Sequence, residues 1–87
     1  MHYLGMDYDD WRILKFENEL GQLPRWRKQA AIRRDLGITE TRYLQRLAHV
    51  VELPDAVVQF PQVVYRIRGR LERRAAEAER RLVARDA

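Results

Sequence analysis

The sequence predicts an all-α fold: a compact helical domain with a helix-turn-helix and a long basic C-terminal helix. Three observations carry that expectation. Apolar residues recur three and four apart in successive segments, which is the period of a helix packed on one face. Glycines and prolines stand where such segments end and begin, at Gly21, Pro24, Gly37, Pro54 and Pro61. No segment alternates apolar and polar residues over the length of a strand, and no repeat of solenoid type occurs.

The elements follow in order. Residues 1–8 are expected to form a flexible, irregular N-terminus ahead of a helix capped by Asp9 or Asp10. A carboxylate there accepts the free N–H groups of the first turn and suits the positive end of the helix dipole. Ile13, Leu14, Phe16 and Leu20 fall mainly on one face, and Gly21 ends the helix in the C-cap manner. Pro24 stands as first residue of a second helix that runs through Trp26, Ala30, Ile32 and Leu36 to Gly37. Thr39 caps a third helix, Glu40 to about Glu52, with Tyr43, Leu47, Val50 and Val51 facing inward. Leu53-Pro54-Asp55 breaks it. Asp55 to Phe60 forms a short helix closed by Pro61, because the residue before a proline avoids the helical region. Pro61 or Gln62 opens a last helix to about Arg85, striped by Val64, Ile67, Leu71, Ala75, Ala78 and Leu82. The stripe shrinks to alanine, so the first half is expected to pack on the domain and the second to project. Residues 9–72 are thus the expected helix-turn-helix domain, and 73–87 a projecting basic helical tail. Trp11, Trp26 and Tyr43 take inward positions and are expected in the core, whereas Tyr3 and Tyr8 lie outside its pattern.

Composition narrows the chemistry. Cysteine is absent, which excludes disulfides, thiolate metal sites and thiol nucleophiles. The two histidines, His2 and His49, make no usual zinc site without several carboxylates, and neither a metal nor a cofactor is expected. The longest apolar run falls far short of the roughly 20 residues that span a bilayer. The N-terminus lacks a basic segment followed by an apolar run, so no membrane association is expected and the cytoplasm is the default compartment. Acidic pairs such as Asp9-Asp10 and Glu77/Glu79 have no convergent His, Lys or nucleophile, and no glycine-rich phosphate loop occurs. A helical chain of this size also leaves little room for a buried pocket, so catalysis is not expected.

The formal net charge is +4, unevenly spread. Residues 1–23 carry −3, residues 24–50 carry +5, and residues 51–87 carry +2. Arginine supplies 15 of the 17 basic residues. Its planar fork donates two parallel hydrogen bonds to a phosphate or a guanine.

The basic middle coincides with the helix-turn-helix signal. Ile32 and Leu36 close the second helix onto the core, Gly37 takes a left-handed turn, Ile38 plugs it and Thr39 caps the third helix. Tyr43 and Leu47 anchor that helix inward, leaving Thr41, Arg42, Gln45, Ala48 and His49 on the free face. Short polar and fork-shaped side chains near a helix N-terminus are what base-edge contact in a DNA major groove uses. Thr41, Arg42, Gln45 and His49 are therefore the expected base contacts. Arg25, Arg27, Lys28, Arg33, Arg34, Thr39 and Arg46 are the expected phosphate contacts, which give affinity and salt dependence without sequence choice. Arg33 stands where many helix-turn-helix proteins carry alanine, four residues before the glycine. A wider crossing of the two helices is expected, with Arg33 snorkelling past it.

Five stretches bear a family resemblance: Ile13-Leu14-Lys15-Phe16-Glu17, Ala31-Ile32-Arg33, Gly37 through Leu47, Pro54-Asp55-Ala56 and Tyr65-Arg66-Ile67-Arg68. Together they resemble an uncharacterised family of small proteins from actinobacteria and their phages, over about residues 10 to 75. The Thr41-Arg42-Tyr43 step is the most specific element. The turn also resembles the DNA-reading helix pair of sigma factors. Where the family commonly carries an aromatic pair after the first helix, this chain has Gly21-Gln22-Leu23. The family has no established activity, so the resemblance speaks to the fold.

Double-stranded DNA is the expected partner, for a transcriptional regulator or a phage regulatory protein. The alternative is a module that binds a host protein, such as a component of the transcription machinery. The last helix has three readings. Its eight arginines against three glutamates between Arg66 and Arg85 track the DNA backbone, or its Leu71–Ala75–Ala78–Leu82 seam forms a homodimer, or its end frays.

Overall fold

A computed structural model describes residues 6–86, and they form five α-helices with one π-helical turn and no strand. Residues 1–5, with Tyr3 and most of the expected irregular N-terminus, lie outside the described residues. Helix α1 spans Tyr8–Leu20, and its cap is Asp7 rather than Asp9 or Asp10. Asp7 Oδ1 accepts the Asp10 N–H at 2.9 Å, while the Asp7 N–H donates to Asp10 Oδ2 at 3.2 Å. This reciprocal box satisfies two donors that a helix start leaves free. The bond from the Asp10 N–H also holds the Asp7 carboxyl below its ordinary pKa.

Gly21 ends α1 in a right-handed conformation, φ −63° and ψ −21°, not the left-handed one a C-cap glycine usually takes. Its reason is space. A Cβ at Gly21 would collide with the carboxylate and carbonyl of Glu17, which is 1% exposed. Helix α2 spans Arg25–Ala31 and starts one residue later than expected, with Pro24 as its N-cap residue. It runs into a π-helical turn, Ile32–Leu36, closed by the Gly37 N–H, which lies 3.1 Å from both the Ile32 and Arg33 carbonyls. Gly37 is left-handed as expected, at φ +68°. A Cβ there would meet nothing within 4 Å, so alanine at this site is strained only through the backbone. Gly37→Ala is expected to lower stability by about 1–2 kcal/mol in urea unfolding, and Gly37→Asn by less, because asparagine visits this region more readily.

Thr39 caps α3, Glu40–Val50, with its Oγ1 accepting the Arg42 N–H at 3.2 Å. Helix α4 spans Pro54–Gln59 and α5 spans Pro61–Asp86. Helix α3 lies against α1, the π-turn and α5, and α5 also packs on α1 and α4. The core joins Ile13, Leu14 and Phe16 of α1 to Ala31 and Ile32, to Tyr43, Leu47 and Val50 of α3, and to Val63, Val64 and Ile67 of α5. Val51 and Ala56 join it too. Phe16 and Tyr43 meet edge to face at 5.5 Å, a favoured aromatic geometry. Helix α5 leaves the core at Leu71, and residues 72–85 are exposed throughout, which stretches the long dimension of the molecule to 51 Å.

A buried ionic node ties four helices together. The Lys28 ammonium lies 2.8 and 3.0 Å from the two Glu17 carboxylate oxygens, beneath the surface, and 5.4 Å from the centre of the Tyr43 ring. Arg66 reaches the Glu17 carbonyl at 3.4 Å. Burial, and then the charge of Glu17, push the Tyr43 phenol well above its ordinary pKa. Trp26, expected in the core, is 72% exposed. The node explains this. Lys28 must face Glu17, and on a 100° wheel Trp26 and Ala30 then point away from the core, where both are found exposed. Trp11 is half-buried and packs on the core, as expected.

Candidate nucleic-acid interface

The outward face of α3 exists because its inward face is fully used. Tyr43, Leu47 and Val50 are each at most 3% exposed, which fixes the helix in rotation. Thr41, Arg42, Gln45 and His49 are then exposed on the other side, with Ala48 half-buried beside them. None of these four side chains makes a hydrogen bond or ion pair among the described residues. Arg33, Gly37, Ile38, Thr39 and Arg42 line a shallow cleft beside the turn.

Arg33 does not sit at the helix crossing. The π-turn inserts an extra residue ahead of Gly37, so Ala31 and Ile32 fill the interior and Arg33 turns out to solvent. Arg27, Arg33 and Arg42 are exposed with no side-chain partner among the described residues, and Arg46 is half-buried in the same condition. Arg25 bonds Glu40 at 3.2 Å, yet its side chain remains 81% exposed. Arg34 pairs with its neighbour Asp35 at 2.8 Å. The Gln29 amide and then Arg25 hold the Glu40 carboxyl below its ordinary pKa, and Arg34 does the same for Asp35.

Lys28 departs from expectation. Its ammonium is held by both Glu17 carboxylate oxygens, so its charge is already spent within the protein. The arginines of α5 also divide. Arg68 donates from Nε and Nη2 to the Val51 carbonyl at 2.9 and 2.6 Å, capping the end of α3. Arg66 serves the ionic node, so neither is free to track DNA. Arg12 likewise donates to the Asp35 carbonyl at 2.8 Å and closes the π-turn. These three internal arginines were hidden in the sequence by the many exposed ones.

Among the described residues, no three of His, Asp and Glu gather where a metal ion could be held, and no helix is long and apolar enough to cross a membrane. No curated protein and no solved structure matches the chain. Residues 5–81 match the family described as a protein of unknown function, DUF3263. That match is wider than the span of the resemblance read from the sequence, and it includes the start of α1 and most of α5. The chain therefore belongs to the DUF3263 family.

Proposed function

We propose that this protein binds double-stranded DNA through a helix-turn-helix made of α2, the π-turn, Gly37 and α3. One observation carries the reading: Thr41, Arg42, Gln45 and His49 share an exposed face of a rotationally fixed helix and spend no hydrogen-bonding capacity on the protein itself. Polar side chains of this kind match the donor and acceptor edges that a major groove displays. Arg25, Arg27, Arg33, Arg34, Thr39 and Arg46 flank the face and supply contacts to phosphates, which set orientation and affinity. In this reading the protein is a cytoplasmic transcriptional or phage regulator of actinobacterial type, with a turn like that of sigma factors.

Binding of a random-sequence duplex tests it. Retardation in a gel is expected at about 50 mM salt and should weaken steeply by about 200 mM, since counterions released from phosphates drive such binding. Absence of any complex at the lower salt would sink the reading. The exposed Trp26 favours a second one, in which the same domain grips a host protein of the transcription machinery, because tryptophan is enriched where interfaces concentrate their binding energy. That alternative predicts one stoichiometric partner in a pull-down and no complex with DNA. The exposed stripe Ala75, Ala78 and Leu82 is the surface through which two copies would pair.

A further inference from the structure

A polar cleft lies on the flank of α3 opposite Arg42 and Arg46. Its lining includes Arg25 and the Glu17-paired Lys28 of α2, Glu40 and Leu44 of α3, and Arg70 and Arg74 of α5. Arg70 and Arg74 are four apart and so share one face of α5. Neither makes a hydrogen bond or ion pair among the described residues. The one acid lining the cleft, Glu40, is already held by Gln29 and Arg25. Among the described residues, the charges of Arg70 and Arg74 thus have no ion-pair partner.

A helix in a major groove has a sugar-phosphate strand on each side, with the groove about 12 Å wide. Arg33 and Arg46 serve the phosphates on one side of α3. We infer that Arg70 and Arg74 seat the phosphates of the other strand, so that α5 forms the second rim of the DNA site; this rests on the proposed function. The remaining arginines of α5 do not share the task. Arg66 and Arg68 are bonded within the domain, Arg73 lies over Gly69 and does not line the cleft, and Arg80, Arg81 and Arg85 lie beyond it on the exposed end of the helix. The basic tail is thus two functional stretches, and only the near one belongs to the reading surface.

The test compares two charge-matched pairs, Arg70→Gln/Arg74→Gln and Arg80→Gln/Arg81→Gln, by fluorescence anisotropy on one random-sequence duplex across a salt series. Each lost phosphate contact lowers the slope of log affinity against log salt by about 0.9. The near pair is expected to flatten the slope by about 1.8, so that its salt sensitivity between about 50 and 200 mM falls roughly twelvefold relative to the parent. The far pair should leave the slope unchanged. Thermal melting of both variants, expected to match the parent, separates lost contacts from lost folding. An unchanged slope for the near pair, or equal flattening by both pairs, overturns the inference while leaving the proposed function standing. A parent protein that binds no duplex overturns both.

Discussion

Replacing Lys28 by methionine is expected to destabilise the fold by about 3–5 kcal/mol, the usual cost of removing one partner from a buried ion pair. Glu17 is a short side chain, 1% exposed, and cannot turn toward water once its ammonium partner is gone. Small domains are stable by only about 5–15 kcal/mol, so this one change removes a large fraction of the total. The reverse change, Glu17→Met, should cost less. The Lys28 side chain is already 12% exposed, and its long stem can carry the charge to the surface. Joining the two as Glu17→Met/Lys28→Met should recover much of the loss, because apolar residues of similar volume commonly replace a buried pair without penalty. Urea unfolding of the three variants forms a double-mutant cycle. Equal effects for the two single variants, with simple addition in the double, would mean that the pair is not what holds α1 and α2 together. The cycle also bears on the proposed DNA binding, since the node sets the rotation of α2 and so decides which arginines face outward.

The same node shows where the sequence stops being legible. The boundaries around the turn followed from local signals, because a left-handed glycine or a capping threonine acts within one turn, whereas the cap of α1 fell at Asp7 and not at Asp9 or Asp10. Gly37 and Thr39 do in the structure what their residue types predict. The inward set Tyr43, Leu47, Val50 and Val51 followed from period alone, and all four are buried. Trp26 and Lys28 depart from what the sequence predicts because their roles depend on an acid in another helix. Hydrophobicity points Trp26 inward, yet a buried carboxylate at Glu17 outweighs it by demanding a cation from α2. Glu17 gave no warning, since one glutamate among apolar neighbours looks like a break in an amphipathic stripe. A glycine four residues later was the available clue, because Gly21 is what leaves room for that carboxylate. The π-turn was equally out of reach. It adds one residue to a helix without any marker of its own, and it is what carries Arg33 to the surface.

The largest functional effect is expected from Arg42→Ala/Gln45→Ala. Each base contact in a major groove is worth about 1–3 kcal/mol of discrimination, so losing two should bring a preferred site down toward the level of random DNA. Residual binding should keep nearly the parent's salt dependence, since the flanking phosphate contacts remain. The fold should be untouched: both side chains are exposed, the Thr39 cap bonds only the Arg42 backbone, and alanine favours helix. The contrast is a pair of flanking residues, Arg27→Ala/Arg33→Ala, whose loss should weaken every duplex alike and flatten the salt dependence. A preferred sequence for the parent comes from selection on a randomised duplex pool, and the variants are then titrated with that sequence and with a scrambled one. If the Arg42/Gln45 variant keeps the parent's ratio between the two, α3 is not the reading helix, however basic its surroundings. If the ratio collapses while residual affinity persists, the face that Tyr43 and Leu47 hold outward is the part of this protein that chooses its DNA.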